Sequence, residues 1–303
     1  MQSRLSTEFS KPQSFKRRLR EFKELFIRAV LFLCAASSVL ITFGVVWTLV
    51  KEAFPFFAEI SFKNFLFDKE WTPLFENPQY GILNLICGTF LTTAIALTVA
   101  IPLGTITAVF LSEYISDRYR EILKPLLELL AAVPTVVYGY FALLFVTPLL
   151  QKVFPDLSSF NALSAGLVMG VMIIPYISSL SEDAMRAVPV HLREGSLALG
   201  ASNLQTSFKV IIPSAFSGIA SAYVLGISRA LGETMVVAIA AGLQPKLSLN
   251  PLESTQTLTA YIVQVSQGDL PHGSIGYKTI YVAGVVLLFF TLVFNLIGQR
   301  IRS

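Results

Sequence analysis

Between Arg28 and Lys51 the chain carries no charged residue. A helix crossing the ~30 Å hydrocarbon layer of a bilayer needs about 20 mostly apolar residues. Residues 29–50 meet that need, and similar runs fall within 81–112, 129–150, 157–181, 214–243 and 279–299. The chain is 54% hydrophobic and only 14% charged, whereas about a quarter of a soluble protein is charged. Six such runs predict an all-α, polytopic membrane protein with six transmembrane helices. Prolines inside the runs (Pro102, Pro134, Pro148 and Pro175) predict kinks, tolerated where neighbouring helices satisfy the freed carbonyls. The first run is too long for a signal-peptide core and lacks a clear small-residue cleavage site after it, so it is expected to be retained.

Lys and Arg distribution sets the orientation. With the N-terminus inside, the inner segments carry sixteen and the outer segments six, Arg229 being the remaining one of 23. Both termini are therefore expected in the cytoplasm. Residues 1–28 form an N-terminal tail, expected to be disordered over 1–14. Residues 15–28 read as a basic amphipathic helix: Phe15, Leu19, Phe22 and Phe26 recur at helical spacing among Lys16, Arg17, Arg18, Arg20 and Lys23. Such a helix would lie on the anionic membrane face, or serve only as a charged flank that sets topology. The transmembrane domain proper would then occupy residues 29–303. The net charge of +4 comes mostly from this tail and is not a nucleic-acid signature.

The outer segment 51–80 is rich in aromatics and is expected to pack at the outer interface. The outer segment 244–278 has the Pro, Gly and Asn of irregular structure. Cys34 and Cys87 both fall inside expected spans, so they read as small packing residues rather than a disulfide or metal site. His191 and His272 lie in loops on opposite sides and do not make a catalytic site. No Gly-Lys dipeptide occurs, so no Walker A loop can cradle a nucleotide. No cofactor is expected, and any ATP hydrolysis must come from a separate chain.

Two charges stand inside the fifth run. Arg229 is fifteen residues past Ser214, ~22 Å along a continuous helix, near mid-bilayer. Glu233, four residues on, would share its helix face. A charge at that depth costs roughly 2.5–3.5 kcal/mol on insertion scales and marks a functional site by default. Either the two charges form a mutual or interhelical ion pair that locks the bundle, or Arg229 attracts an anion while Glu233 holds the guanidinium. Guanidinium suits oxyanions because its planar fork donates two parallel hydrogen bonds. Ser228 and Thr234 add hydroxyls, and Gly232 would allow close approach of a backbone or ligand.

Residues 182–213 form the longest inner loop. Pro189 can start a helix and Gly200 can end one. Ser202 and Asn203 are N-cap candidates, with Leu204, Phe208 and Ile211 as the apolar face of a second short helix. The loop contains Glu194-Gly195-Ser196, then Gly200, then Val210-Ile211-Ile212-Pro213. This resembles the Glu-Ala-Ala loop of ABC-importer permeases, keeping its Glu, Gly and Pro. It departs at Gly195, Ser196, Val210 and Ile212. The resemblance implies that Glu194, Gly195, Ser196, Gly200 and Pro213 belong to an elbow that docks on the ATPase.

A second resemblance is more specific. Ser228-Arg229-Ala230-Leu231-Gly232-Glu233-Thr234-Met235 resembles the signature of phosphate-specific ABC-importer permeases, and the Met is similar to the PstC-type subunit. Pro102-Leu103-Gly104, Leu111-Ser112-Glu113-Tyr114, Val133-Pro134-Thr135-Val136-Val137-Tyr138-Gly139-Tyr140 and Ile174-Pro175-Tyr176 match as well, over roughly residues 80–300. The resemblance implies a type I ABC-importer permease in the bacterial inner membrane, translocating inorganic phosphate by alternating access. Arg229, Glu233, Ser228, Gly232 and Thr234 would line the substrate path. The implied partners are a PstA-type permease, two PstB-type ATPase subunits and a PstS-type phosphate-binding protein, beside membrane lipid. A permease for another oxyanion, the paired PstA-type role, an ion-coupled secondary transporter and a non-transporting scaffold are the alternative readings.

Overall fold

The computed structural model describes residues 13–302 apart from 69, 76, 269 and 272, with side chains from residue 20 to 301. The expectations for residues 1–12, for the side chains of residues 15–19 and for His272 lie outside the described residues. Two units are distinguished, residues 1–51 and 52–303. The first unit holds most of α1, Gln13–Glu59, a helix without a break. The basic stretch and the first apolar run are therefore one helix. Its side chains from Arg20 to Val50 are almost all exposed, as expected of a surface that meets lipid or another chain.

The second unit is also helical, and its described residues include no strand, only an isolated bridge between Trp71 and Tyr80. Among the described residues four helices are long and apolar enough to cross a membrane, or up to six if each of two bent pairs is one span. The four are α1, α3 (Leu83–Val109, extended by a π-helical turn Phe110–Tyr114), α7 (Ala162–Arg186) and α14 (Ile275–Arg302). Each of the six expected runs overlaps one of these helices or pairs, but the fourth, expected over 157–181, is shifted to Ala162–Arg186, and two others are broken.

The first bent pair is α4 (Asp117–Ala132) and α5–α6 (Thr135–Phe141 and Thr147–Gln151, joined by the π-helical turn Ala142–Val146), meeting at 82°. Proline explains the bend. It has no N–H to donate, and it pushes the residue before it out of the helical region. Val133 is accordingly extended, with ψ 131°. The Leu130 carbonyl oxygen, which a continuous helix would bond to residue 134, instead accepts from the Tyr138 hydroxyl at 2.7 Å. The kinked span expected over 129–150 is therefore corrected in extent: the kink is a sharp bend, and residues 129–132 belong to the preceding charged, amphipathic helix.

The second pair joins the stretch 203–214 to α11 (Phe216–Leu231) at 74°. Within that stretch lie α9 (Asn203–Thr206), a π-helical turn Ser207–Ile211 and α10 (Ile212–Ser214). After α11 the chain breaks again, before α12 (Met235–Ala240). The expectation of one helix over 214–243 is corrected at both ends.

Helix α7 is the hub. Ala165, Met169, Met172, Ile173 and Ile177 are buried in a core shared with α3, α5, α11 and α12. A Cβ added at Gly170 would lie 2.7 Å from the Ala96 carbonyl oxygen, one at Gly166 2.7 Å from Ile95, and one at Gly104 2.8 Å from Ile177. Small residues let α3 and α7 touch backbone to backbone, the usual source of helix association where lipid removes the hydrophobic drive.

A second core lies at the end of the bundle away from the 182–213 loop. Phe56, Phe65, Trp71, Tyr80 and Tyr261 are buried there, and Trp71 meets Tyr261 edge to face at 5.2 Å. The aromatic segment 51–80, which contains the short helix α2 (Phe62–Phe67), divides between this core and exposed rings such as Phe54, Phe62 and Phe75. Cys34 and Cys87 are free thiols, the second donating weakly to the Ser248 carbonyl at 3.5 Å.

Candidate functional site

The break after α11 brings the two intramembrane charges to opposite helix ends. Arg229 lies in the last turn of α11, where the C-terminal carbonyls carry partial negative charge. Glu233 lies beyond the helix end and starts the next segment. Its Oε1 accepts from the Met235 and Val236 backbone N–H groups at 3.1 and 3.3 Å, so the carboxylate caps α12. Its carbonyl oxygen accepts from the Thr259 hydroxyl at 2.6 Å, which fastens the break to α13 (Leu258–Ser266). The shared helix face expected for Arg229 and Glu233 is therefore corrected. Among the described residues no ion pair joins them, and Glu233 does not hold the guanidinium.

What holds the guanidinium is an aromatic ring. The Arg229 Cζ lies 4.0 Å from the centroid of Tyr176, on α7. A cation–π contact contributes about 0.5–1 kcal/mol when exposed and about 2 when desolvated, and Arg229 is partly buried. Arg229 Nε is shielded from solvent and has no hydrogen-bond partner. The residue thus has an arginine's full charge, a helix end behind it, a ring against its face and donor capacity to spare. An oxyanion is the complement of that arrangement.

The neighbouring residues are less committed to a ligand. The Ser228 hydroxyl reaches Asn295 Oδ1 on α14 at 3.4 Å, and the Thr234 hydroxyl reaches the Gly232 carbonyl at 3.3 Å. Gly232 has φ −88° and is exposed, and a Cβ there would meet only ordinary contacts of 3.4 Å and beyond. Of the backbone or ligand approach expected at Gly232, no close backbone approach is present among the described residues.

The loop 182–213 folds as anticipated for its helix ends. Pro189 precedes α8 (Val190–Ala198), and Gly200 has φ +85°, a conformation that glycine adopts without penalty. Ser202 makes a reciprocal capping box with Gln205 at the start of α9. The hydroxyls of Ser196 and Thr206 bond at 2.9 Å and clip the two helices together. Glu194, Gly195 and Gly200 are exposed, and nothing lies within 4 Å of a Cβ at either glycine. A cleft of about 620 Å³ opens here, lined by His191, Gly195, Ser196, Leu199 and Gly200 among others. Leu199 is 91% exposed at its edge. The single apolar face expected for Leu204, Phe208 and Ile211 is split: the π-helical turn changes the register, leaving the first two exposed and Ile211 buried. Pro213 sits in α10, just before the bend into α11.

Three structural contributors escaped the sequence reading. Tyr176 is one. Glu182, fully buried on α7, is another: it faces Lys124 Nζ at 2.6 Å, Arg120 Nε at 3.5 Å and Arg186 Nε at 3.7 Å. The third is the pair Glu113–Arg193, which joins the π-helical end of α3 to α8. Tyr176 and Glu113 both lie in short motifs already visible in the sequence. Glu182 has no local signal beyond ending an uncharged run.

The sequence profile of the family described as "Binding-protein-dependent transport system inner membrane component" matches residues 100–303. The chain is 35% identical over 292 residues to the "Probable ABC transporter permease protein YqgH" of Bacillus subtilis (strain 168), covering 95% of this chain and 93% of that one. It is 36% identical over 241 residues to the "Phosphate transport system permease protein PstC 1" of Mycobacterium tuberculosis (strain ATCC 25618 / H37Rv), covering 73% and 71%. Among solved structures, a bacterial ABC transporter involved in the import of the acidic polysaccharide alginate aligns with TM-score 0.63 at 17% identity. That alignment covers 94% of this chain and all of the other, and speaks for the fold.

Proposed function

The chain belongs to the family of binding-protein-dependent transport system inner membrane components, and from that membership we propose that it is the PstC-type permease subunit of an ATP-driven importer of inorganic phosphate. As a permease of this family it is a multi-pass inner-membrane transport subunit, not an enzyme, and its ATPase is a separate chain. The observation that carries the phosphate reading is Arg229: a guanidinium within the spans, stacked on Tyr176, with Nε shielded and unbonded. The relatives named as phosphate permeases support the same reading.

In this reading a PstS-type protein delivers phosphate to the outer mouth. A PstA-type permease completes the path, and two PstB-type ATPases dock from the cytoplasm, where both termini lie. Arg229 attracts the anion transiently. Glu233, Ser228, Gly232 and Thr234 shape the break that places it. Closure of the ATPase pair moves the elbow at Glu194, Gly195, Ser196, Gly200 and Pro213, and the spans alternate between outward and inward access.

Uptake of radiolabelled phosphate by cells that depend on this chain tests the substrate. Unlabelled phosphate should compete and sulfate or molybdate should not; equal competition by sulfate would move the reading to another oxyanion. For the elbow, Glu194→Lys is expected to leave the permease in the membrane but to lower the ATPase that co-purifies with it by about tenfold. Undiminished co-purification with coupled uptake would remove Glu194 from the docking surface.

A further inference from the structure

Arg193 stands one residue before Glu194, but its side chain points toward the spans. Nε donates to Glu113 Oε2 at 3.1 Å, and Nη2 donates to Oε1 at 3.0 Å and to the Met185 carbonyl oxygen at 3.3 Å. The Glu113 carboxylate is only 6% exposed and also accepts from the Ser112 hydroxyl at 2.6 Å. A bidentate fork on a shielded carboxylate fixes direction as well as distance. Glu113 lies in the π-helical turn that ends α3, and such turns, which shift a helix out of register, are frequent at functional positions.

The two anchors of Arg193 lead to the site. Glu113 continues α3, and Met185 belongs to the last turn of α7. The glycine contacts at positions 104, 166 and 170 leave no clearance between those helices. Tyr176 lies nine residues before Met185, ~14 Å along the same helix, and its ring supports Arg229. Contacts thus run without a gap from α8 through a packed helix pair to the ring under the guanidinium.

We propose that the Arg193–Glu113 pair is a positioning latch that ties movement of the elbow to the α3–α7 pair holding Arg229, and so couples ATP hydrolysis to substrate movement. This rests on the importer reading above. Arg193 touches no substrate; it acts through Glu113 and Met185.

The test uses the whole complex, with partner permease, ATPase and binding protein, reconstituted in vesicles. The readout is phosphate transported per ATP hydrolysed. Arg193→Glu and Glu113→Arg should each keep the ATPase bound and hydrolysing while that ratio falls by about tenfold, and the doubly swapped variant should recover most of it. Arg193→Lys, which keeps charge but loses the fork, should fall between. An unchanged ratio in the single variants overturns the latch. So does assembly that fails in every variant, because the pair would then serve folding alone. So does an intact but unrecovered swap. If the wild-type complex carries a different oxyanion, the phosphate reading fails, and the same ratio taken with that ion still decides the latch.

Discussion

Arg229→Gln is expected to reduce phosphate uptake by about 100-fold, equivalent to ~2.7 kcal/mol, the scale of losing one member of a shielded, hydrogen-bonded charge pair. Glutamine keeps a polar end but loses the charge and the fork. The same substitution should leave membrane insertion and thermal stability unchanged or improved. Arg229 has no ion-pair partner among the described residues, and its stacking on Tyr176 offsets only part of the cost of placing a charge among the spans. That combination separates the readings. An arginine that locked the bundle through an ion pair would cost stability when removed; one kept for an anion costs flux. Arg229→Lys should recover only part of the uptake, because an ammonium cannot make two parallel bonds to one oxyanion. Radiolabelled uptake, a membrane-fraction immunoblot and the thermal unfolding midpoint of the solubilised complex together check these points, and normal uptake by the glutamine variant would remove Arg229 from the path.

Glu182→Ala should have the largest effect on stability. The carboxylate is fully buried and faces Lys124, Arg120 and Arg186. Removing one member of a buried cluster leaves the others uncompensated, which costs about 3–5 kcal/mol. The low end applies because the three cations retain 19–40% exposure and Lys124 keeps Asp183 at 2.5 Å. The thermal unfolding midpoint of the detergent-solubilised complex should drop clearly, and Arg120→Met in the same background should restore part of it by removing a cation whose remaining partner among the described residues, Asp117, is 3.6 Å away. A midpoint unchanged by Glu182→Ala would mean that the cluster is held by water rather than by the carboxylate.

The sequence made the membrane runs legible because each is a local property, a count of apolar residues without a charge. It made the elbow legible for the same reason: Pro189, Gly200 and Ser202 act on the backbone within a turn of themselves. The break at Pro134 could be anticipated as a kink, though not as a turn of 82°. The break at Gly232–Thr234 was hidden, because apolar residues continue through 235–243 and hydropathy does not record where a helix stops. Placing Arg229 and Glu233 on one helix face followed from that omission. Their actual partners, a ring on α7 and the N–H groups of α12, are set by packing between elements. Tyr176 is distant in sequence from Arg229, and Glu113 from Arg193. Spacing within one helix cannot reveal such pairs, whereas the short motifs that contain Tyr176 and Glu113 marked the right neighbourhoods without their geometry.

The most direct test is ATP-driven transport by the purified complex. The chain is co-purified with its partner permease and ATPase and reconstituted in vesicles, with ATP and the ATPase on one side and phosphate with its binding protein on the other. Phosphate should accumulate on the ATPase side only when ATP is present, and hydrolysis should rise when loaded binding protein is added. Accumulation without the ATPase, driven by an ion gradient, or ATP-driven accumulation of a different anion with phosphate excluded, would contradict the account.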